Sequence, residues 1–174
     1  TSGSTGNPKG VMLSHANLVA NVRAMGGLFD IDPERDSFVS WLPLYHDMGL
    51  IGAWLAPLYF GIPLILMSPL RFLTRPERWL RAITEHRGTI SAAPNFAYEL
   101  CTTRIKDSEL HGIDLSSLRI LANGAEAVLP STVRAFQARF GAYGLKPSAM
   151  RPVYGLAEDS VGLAFPIEER PPRM

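Results

Sequence analysis

The sequence contains little of what several protein classes depend on. Cys101 is the single cysteine among 174 residues, which excludes an internal disulfide framework and a zinc site built from several cysteines. The 17 Lys and Arg residues are balanced by 16 Asp and Glu residues, so a net charge of +1 argues against a nucleic-acid partner held by a basic face. The most apolar stretch, residues 48–60, is shorter than the ~20 residues of a transmembrane helix. We expect no integral membrane segment, and the low cysteine content indicates a cytoplasmic location.

The composition is that of a globular protein. Apolar residues make up 47% of the sequence, and 15 glycines and 14 prolines are scattered along it. The chain begins at Thr1, which is not an initiator methionine, and it ends in a segment rich in proline and arginine without a helix or strand pattern. These ends predict a piece of a longer protein.

Short apolar or β-branched runs alternate with helical patterns. Strands are predicted at residues 38–42, 63–67, 89–93, 118–122 and 150–154, and helices at residues 14–27, 47–60, 75–87, 95–105 and from 130 onward. This alternation predicts an α/β fold with a mainly parallel sheet and helices on both faces. Ligands of such sheets bind at the carboxyl ends of the strands.

The first ten residues have a composition suited to binding phosphate. They contain four hydroxyls, three glycines and one lysine, in the order Thr1-Ser2-Gly3-Ser4-Thr5-Gly6-Asn7-Pro8-Lys9-Gly10. Glycine lets backbone N–H groups converge on an anion, hydroxyls add donors, and lysine adds positive charge. The run is not a Walker A loop, because Pro8 and Gly10 stand where that loop has glycine and a hydroxyl residue. The alternative is a flexible linker, although apolar residues follow at once.

These residues resemble the phosphate-loop signature T-S-G-[ST]-T-G-x-P-K-G of the adenylate-forming superfamily, which includes acyl-CoA synthetases, luciferases and peptide-synthetase adenylation domains. Tyr154-Gly155-Leu156-Ala157-Glu158 resembles the Y-G-x-x-E element of that superfamily, and Asn123-Gly124-Ala125-Glu126 resembles its adenine-binding loop. Residues 41–52 and 93–101 resemble the fatty acyl-AMP ligase branch. The resemblance covers essentially the whole chain.

The resemblance implies that residues 1–174 are the central segment of the AMP-binding N-terminal domain. A ribose-binding acidic residue, a hinge and a C-terminal lid domain with a catalytic lysine would then lie beyond Met174. Lys106 and Lys146 lie in polar loop sequence and do not replace that lysine. We therefore expect the chain alone to be inactive.

The resemblance also implies a ligand set of ATP, Mg²⁺ and a fatty acid. Lys9 and the loop before it would hold the β- and γ-phosphates, and this loop comprises Thr1, Ser2, Gly3, Ser4, Thr5 and Gly6. Glu158 would ligate Mg²⁺, and Tyr154 would stack on adenine. The base would be lined by Gly124, Ala125 and Glu126. His46 would gate the acyl pocket near the α-phosphate, so the predicted catalytic residues are Lys9, His46 and Glu158.

Several of these residues also have purely structural interpretations. Glu158 is alternatively a solvated carboxylate, Tyr154 a packed aromatic residue and His46 an ordinary hydrogen-bonded histidine. Asn95 and Phe96 either line the acyl tunnel or cap and pack the helix that begins there. Asp47 is predicted to cap the following helix. Cys101 falls within an apolar helical pattern, which favours a buried structural role.

The favoured function is ATP-dependent activation of a fatty acid to an acyl adenylate, followed by transfer to an acyl carrier protein. Transfer to coenzyme A is the near alternative. A non-catalytic module that binds a nucleotide or an acyl group is a third hypothesis, and the intact loop and Glu158 argue against it.

Overall fold

The computed structural model describes residue 7 and residues 9–166. Within them, five parallel strands form one sheet in the order β2-β1-β3-β4-β5. The strands are β1 (Phe38–Ser40), β2 (Leu64–Leu66), β3 (Ile90–Ala93), β4 (Ile120–Asn123) and β5 (Met150–Pro152). The helices are α1 (His15–Phe29), α2 (Ala56–Phe60), α3 (Pro69–Thr74), α4 (Glu77–Glu85), α5 (Asn95–Arg104) and α6 (Pro130–Phe140). The predicted parallel α/β fold is confirmed.

The strand order places a topological switch at β1. Phe38 of β1 pairs with Leu64 of β2 on one side and with Ile90 of β3 on the other. The connection after β1 therefore leads to the neighbouring strand on one side of β1, and the connection after β2 crosses back to the strand on the other side. Such a reversal opens a crevice beyond the carboxyl ends of the two strands, where open α/β sheets bind their ligands.

Helix α1 begins where the sequence predicts and ends later. Ser14 is the N-cap, because its Oγ accepts a hydrogen bond from the Asn17 N–H at 3.1 Å while the Asn17 Oδ1 accepts from the Ser14 N–H at 2.9 Å. The predicted end at residues 26–27 is wrong, since the helix continues to Phe29. Gly26 serves packing instead: a Cβ there would lie 2.0 Å from the Phe60 ring.

The apolar helix predicted at residues 47–60 consists of two parts. A π-helix at Met48–Leu55 runs directly into α2. Asp47 has the predicted capping role, because its carboxylate accepts a hydrogen bond from the Met48 N–H at 2.6 Å. Gly61 ends α2 in the left-handed conformation, with φ 68°. The wider π turn was not predicted, because a segment that is apolar on nearly all sides does not reveal its own period.

The helices on the other face of the sheet pack through aromatic rings. Trp79 of α4, Tyr98 of α5 and Phe136 of α6 are buried and contact one another in sequence. Their polar atoms are satisfied by the sheet: the Trp79 indole N–H donates to the Ser91 Oγ at 2.9 Å, and the Tyr98 hydroxyl donates to the Ala122 carbonyl at 2.6 Å. The opposite face of the sheet is covered by α1, the π-helix and α2. No helix within residues 9–166 is long and apolar enough to cross a membrane.

Candidate active site

A cavity of about 220 Å³ lies between α1, the π-helix, α2 and the sheet. Its walls are mainly apolar and include Phe29, Phe38, Phe60, Ile62, Ile90 and Ile120. The loops that follow β4 and β5 complete the wall through Ala125, Tyr154 and Gly155. The cavity thus runs along one face of the sheet, from the first residues of β1, β3 and β4 to the loops at the carboxyl ends of β4 and β5, and at that end it reaches the place where the topology predicts a ligand.

A histidine and a carboxylate lie together on this wall. The His46 Nδ1 is 2.7 Å from the Asp47 Oδ1, and both residues line the cavity. The hydrogen bond to Asp47 raises the pKa of His46, although partial burial opposes the change. The same bond lowers the pKa of Asp47. Asp47 therefore favours the protonated imidazolium, a suitable neighbour for an anionic ligand.

The loop after β5 is closed on itself. The Tyr154 N–H donates to the Ala164 carbonyl and the Ala164 N–H donates to the Tyr154 carbonyl, both at 2.9 Å. Asn21 of α1 holds the far side of the loop, because its amide donates to the Gly162 carbonyl at 2.7 Å and accepts from the Gly162 N–H at 3.1 Å. Glu158 is exposed on the short 3₁₀ turn Ala157–Asp159 within this loop. The predicted metal ligand thus lies on an anchored loop whose first residues, Tyr154 and Gly155, form part of the cavity wall.

The loop after β4 approaches the same wall. A Cβ on Gly124 would lie 2.7 Å from the Val153 carbonyl oxygen, so glycine is required for the close contact between the two loops. Ala125 follows in the left-handed conformation with φ 66° and lines the cavity. The Glu126 Oε1 accepts a hydrogen bond from the Phe96 N–H at 2.6 Å. Of the three residues predicted to line the base, Gly124, Ala125 and Glu126, only Ala125 is on the cavity wall.

Asn95 and Phe96 do not line the cavity. Asn95 is buried, and its amide contacts Asn123, Leu129 and Thr132 through hydrogen bonds. The Phe96 ring is partly exposed and packs edge-on against Trp41, with ring centroids 6.1 Å apart. Both positions agree with the alternative of packing at the start of α5, although neither side chain caps the helix, whose N-cap is Pro94. The predicted contact with the acyl chain is not supported by this geometry.

The predicted phosphate-binding residues are only partly described. Lys9 is exposed, and Thr1, Ser2, Gly3, Ser4, Thr5 and Gly6 lie outside the described residues. No group of three or more His, Cys, Asp or Glu side chains that could hold a metal occurs within residues 9–166. Mg²⁺ commonly takes one or two carboxylates together with phosphate oxygens. Glu158 is exposed three residues beyond Gly155 of the cavity wall, and a single exposed carboxylate fits that donor set.

The free thiol of Cys101 is fully buried. Burial raises its pKa well above the ordinary range, so the thiolate needed for thioester chemistry is suppressed. The structural role predicted for this residue agrees with its position. Asn21 was not predicted as part of the site, because its place on the polar side of α1 gives no indication of its contact with Gly162.

Comparison with known proteins agrees with the fold. A family model described as AMP-binding enzyme matches residues 1–174. The chain is 48% identical over 158 residues to the medium-chain-fatty-acid–[acyl-carrier-protein] ligase TtuA of Teredinibacter turnerae, covering 91% of this chain and 24% of that protein. It is 45% identical over 177 residues to the long-chain-fatty-acid–AMP ligase FadD26 of Mycobacterium marinum, covering 99% and 30%.

A solved structure is similar along nearly the whole chain. The fatty acyl-adenylate ligase from L. pneumophila, determined with acyl adenylate and pyrophosphate, has a TM-score of 0.90 and 45% sequence identity, and the match covers 95% of this chain and 29% of that one. The chain therefore spans about a quarter to a third of the length of these relatives.

Proposed function

This chain belongs to the AMP-binding enzyme family, and from that premise we propose that its protein activates a fatty acid with ATP and transfers the acyl group to an acyl carrier protein. The observation that carries the proposal is the apolar cavity of about 220 Å³ with His46 on its wall. Its walls suit an alkyl chain, and the imidazole suits a carboxylate head. The activity named for FadD26 supports the activation step, and the activity named for TtuA supports an acyl carrier protein as the acceptor.

The reaction needs positioning more than a protein nucleophile. A carboxylate oxygen of the fatty acid attacks the α-phosphorus of ATP, and the bond to pyrophosphate breaks. Two anions must meet, so the protein has to hold both and compensate their charge. Phe38 and Phe60 would contact the alkyl chain from the sheet and from α2, and they would exclude water from it.

His46 would orient the carboxylate. Its Nδ1 is engaged with Asp47 at 2.7 Å, which leaves Nε2 to donate a hydrogen bond when the ring is protonated. Because Asp47 raises the pKa of His46, a larger fraction of the ring carries that proton at neutral pH. The Nε2–H would therefore bind the carboxylate and fix its approach, while Asp47 offsets the charge of the ring.

Lys9 and Glu158 would act on the phosphate side. The Lys9 ammonium supplies a positive charge next to the glycine-rich residues of the phosphate-loop signature. Glu158 would hold Mg²⁺, which shields the charge on the phosphate oxygens when it is bound. Tyr154, exposed over 62% of its surface at the rim, offers a flat face on which a nucleobase could stack.

ATP–pyrophosphate exchange by the full-length protein tests the activation step. With Mg²⁺ and a panel of fatty acids, we expect exchange that depends on the fatty acid. Lys9→Ala and Glu158→Ala should each reduce it roughly 100-fold, as expected for the loss of one group that stabilises transition-state charge. Lys146→Ala and Glu99→Ala, which remove exposed charges elsewhere, serve as matched controls and should stay within about twofold of the unmodified protein.

Absence of exchange from a folded protein with every carboxylate tested would overturn the activation step and favour a binding module. The acceptor is tested separately, with a labelled fatty acid, ATP and either phosphopantetheine-bearing carrier protein or coenzyme A. In the transfer, the acceptor thiol bonds to the acyl carbon and AMP leaves. Label on the carrier protein supports the proposal, and label only on coenzyme A would replace it with the synthetase alternative.

A further inference from the structure

We propose that Glu126 is a positioning residue, which together with Asn95 locks the loop after β4 onto the start of α5 and so holds Ala125 against the cavity. This inference rests on the proposed function, because it assigns the loop to the nucleotide side of that site. It differs from the role predicted for Glu126, which was to line the base together with Gly124 and Ala125.

Helix α5 lacks a cap of its own. Its N-cap residue is Pro94, which has no side-chain hydrogen bond to the helix. Glu126 supplies this bond from another part of the chain, because its Oε1 accepts from the Phe96 N–H at 2.6 Å. A carboxylate at a helix N-terminus is favoured by the unpaired N–H groups and by the helix dipole. Glu126 therefore has an electrostatic reason to stay bound to α5.

Asn95 holds both ends of the loop. Its Oδ1 accepts from the Leu129 N–H at 3.1 Å and from the Asn123 Nδ2 at 3.4 Å, and its Nδ2 donates to the Thr132 Oγ1 at 3.3 Å. Asn95 is 3% exposed, so these bonds are protected from competition by water. Residues 123–129 are thus attached to the first turn of α5 in the middle and at both ends.

The segment between these attachments contains an unfavourable backbone conformation. Ala125 has φ 66°, a region that residues with a Cβ rarely adopt. Such a conformation persists where the surroundings over-determine it, and it is often found at functional sites. Because Ala125 lines the cavity, loss of the Glu126 bond would let its backbone relax and change the shape of the wall.

The attachment also connects two parts of the site. Phe96, whose N–H is bound by Glu126, packs its ring against Trp41, which closely follows β1. The chain from Trp41 leads to His46. A rigid first turn of α5 therefore fixes the position of the loop after β4 relative to the segment after β1. The carboxylate of Glu126 contributes through the position of the loop and needs no contact with the nucleotide.

The test compares Glu126→Ala and Glu126→Gln in the full-length protein, with Glu99→Ala as the control for removing an exposed glutamate near α5. Hydrogen–deuterium exchange of the peptide containing Phe96 reports on the bond directly, and steady-state exchange kinetics report on its effect. For Glu126→Ala we expect amide exchange of Phe96 and the KM for ATP each to rise about tenfold, as for loss of one charged hydrogen bond, while kcat changes less than about threefold. Glu126→Gln should restore both values to near those of the unmodified protein, because its amide oxygen still accepts.

Unchanged amide protection in Glu126→Ala would overturn the attachment. A Glu126→Gln variant that keeps the protection but has the raised KM would show that the charge contacts the nucleotide, which would overturn the positioning role. Absence of ATP-dependent activity in the unmodified protein would overturn the proposed function and this role with it. The amide protection would still show whether Glu126 caps α5, so the two failures are distinguishable.

Discussion

Replacing Gly155 by alanine is expected to reduce ATP–pyrophosphate exchange by the full-length protein roughly 100-fold or more. A Cβ at this position would lie 1.6 Å from the carbonyl oxygen of Val161. The Cβ is attached to the backbone and the Val161 oxygen is part of it, so no side-chain rotation can separate them. The contact is relieved only if the loop backbone moves by more than ~1 Å. Displacement of about 1 Å in a positioning element can cost about 100-fold in rate.

The displaced loop carries several predicted site residues. Tyr154 and Gly155 line the cavity and Glu158 lies three residues further. The backbone hydrogen bonds between Tyr154 and Ala164 and the bond from Asn21 to Gly162 restrict the movement of the loop. The added methyl group should therefore also destabilise the protein by about 1–3 kcal/mol through overpacking.

Gly27→Ala is the matched control for this variant. Gly27 lies in α1 with nothing within 4 Å of an added Cβ, and alanine in a helix is favoured by about 0.5–1 kcal/mol. Activity and stability of Gly27→Ala should therefore equal or exceed those of the unmodified protein. A Gly155→Ala protein that retains full exchange would contradict the rigidity assigned to the loop.

Replacing Asp36 by asparagine is expected to lower the free energy of unfolding by about 2 kcal/mol at pH 7. The Asp36 carboxylate is buried before β1. Arg119 donates to both of its oxygens, at 3.2 and 2.9 Å, and Arg35 and the Thr89 hydroxyl donate at 3.1 and 2.9 Å. Arg119 also donates to the Phe29 carbonyl at 2.9 Å, so the carboxylate organises the contact between the sheet and the end of α1.

The pH dependence follows from the pKa of this group. Burial alone would raise the pKa of Asp36, but the hydrogen bonds from Arg119 and Arg35 outweigh it and lower the pKa from 3.8 to about 2. A depressed folded-state pKa stabilises the protein above the unfolded value, and the contribution disappears as pH falls through the folded value. The difference between the unmodified protein and Asp36→Asn should therefore be full above pH 4.5 and shrink between about pH 4 and pH 2.

Urea unfolding of the full-length protein at pH 7 and pH 3 measures this difference. Asp30→Asn is the control, because Asp30 pairs with the same Arg35 but its side chain is 85% exposed. Exposed ion pairs contribute about 0–1 kcal/mol, so this variant should remain close to the unmodified protein. Equal gaps at both pH values would show that the effect of Asp36→Asn does not come from ionisation.

Local signals in the sequence predicted the elements well where one residue type decides the backbone. Ser14 marks the start of α1 because its hydroxyl can bond an unpaired N–H of the first turn. Gly61 marks the end of α2 because it adopts φ 68° without steric cost. Gly26 predicted a helix end that does not occur, because its small size serves the close approach of Phe60 and has no part in ending α1.

For the site residues, too, a local motif identified the positions, whereas the contacts that explain them depend on the fold. The motif Y-G-x-x-E identified Tyr154, Gly155 and Glu158, but the need for glycine at position 155 appears only when Val161 folds back against it. Likewise, Glu126 was recognised through its neighbours, whereas its bond to Phe96 joins residues 30 positions apart. No sequence pattern predicts a contact between residues that far apart in the chain.

The sequence by itself determined the parallel α/β fold, the family, and the segments that surround the site, because periodicity and short motifs are local properties. Tertiary structure decided which side chains those segments present. Asn95 is buried in a hydrogen-bond network and does not line the cavity. Glu126 binds the N-terminus of α5, and Asn21 binds the loop that carries Glu158. The physical reason is that hydrogen-bond partners and packing neighbours are chosen by contacts between distant segments. Those contacts exist only once the sheet and its helices have assembled.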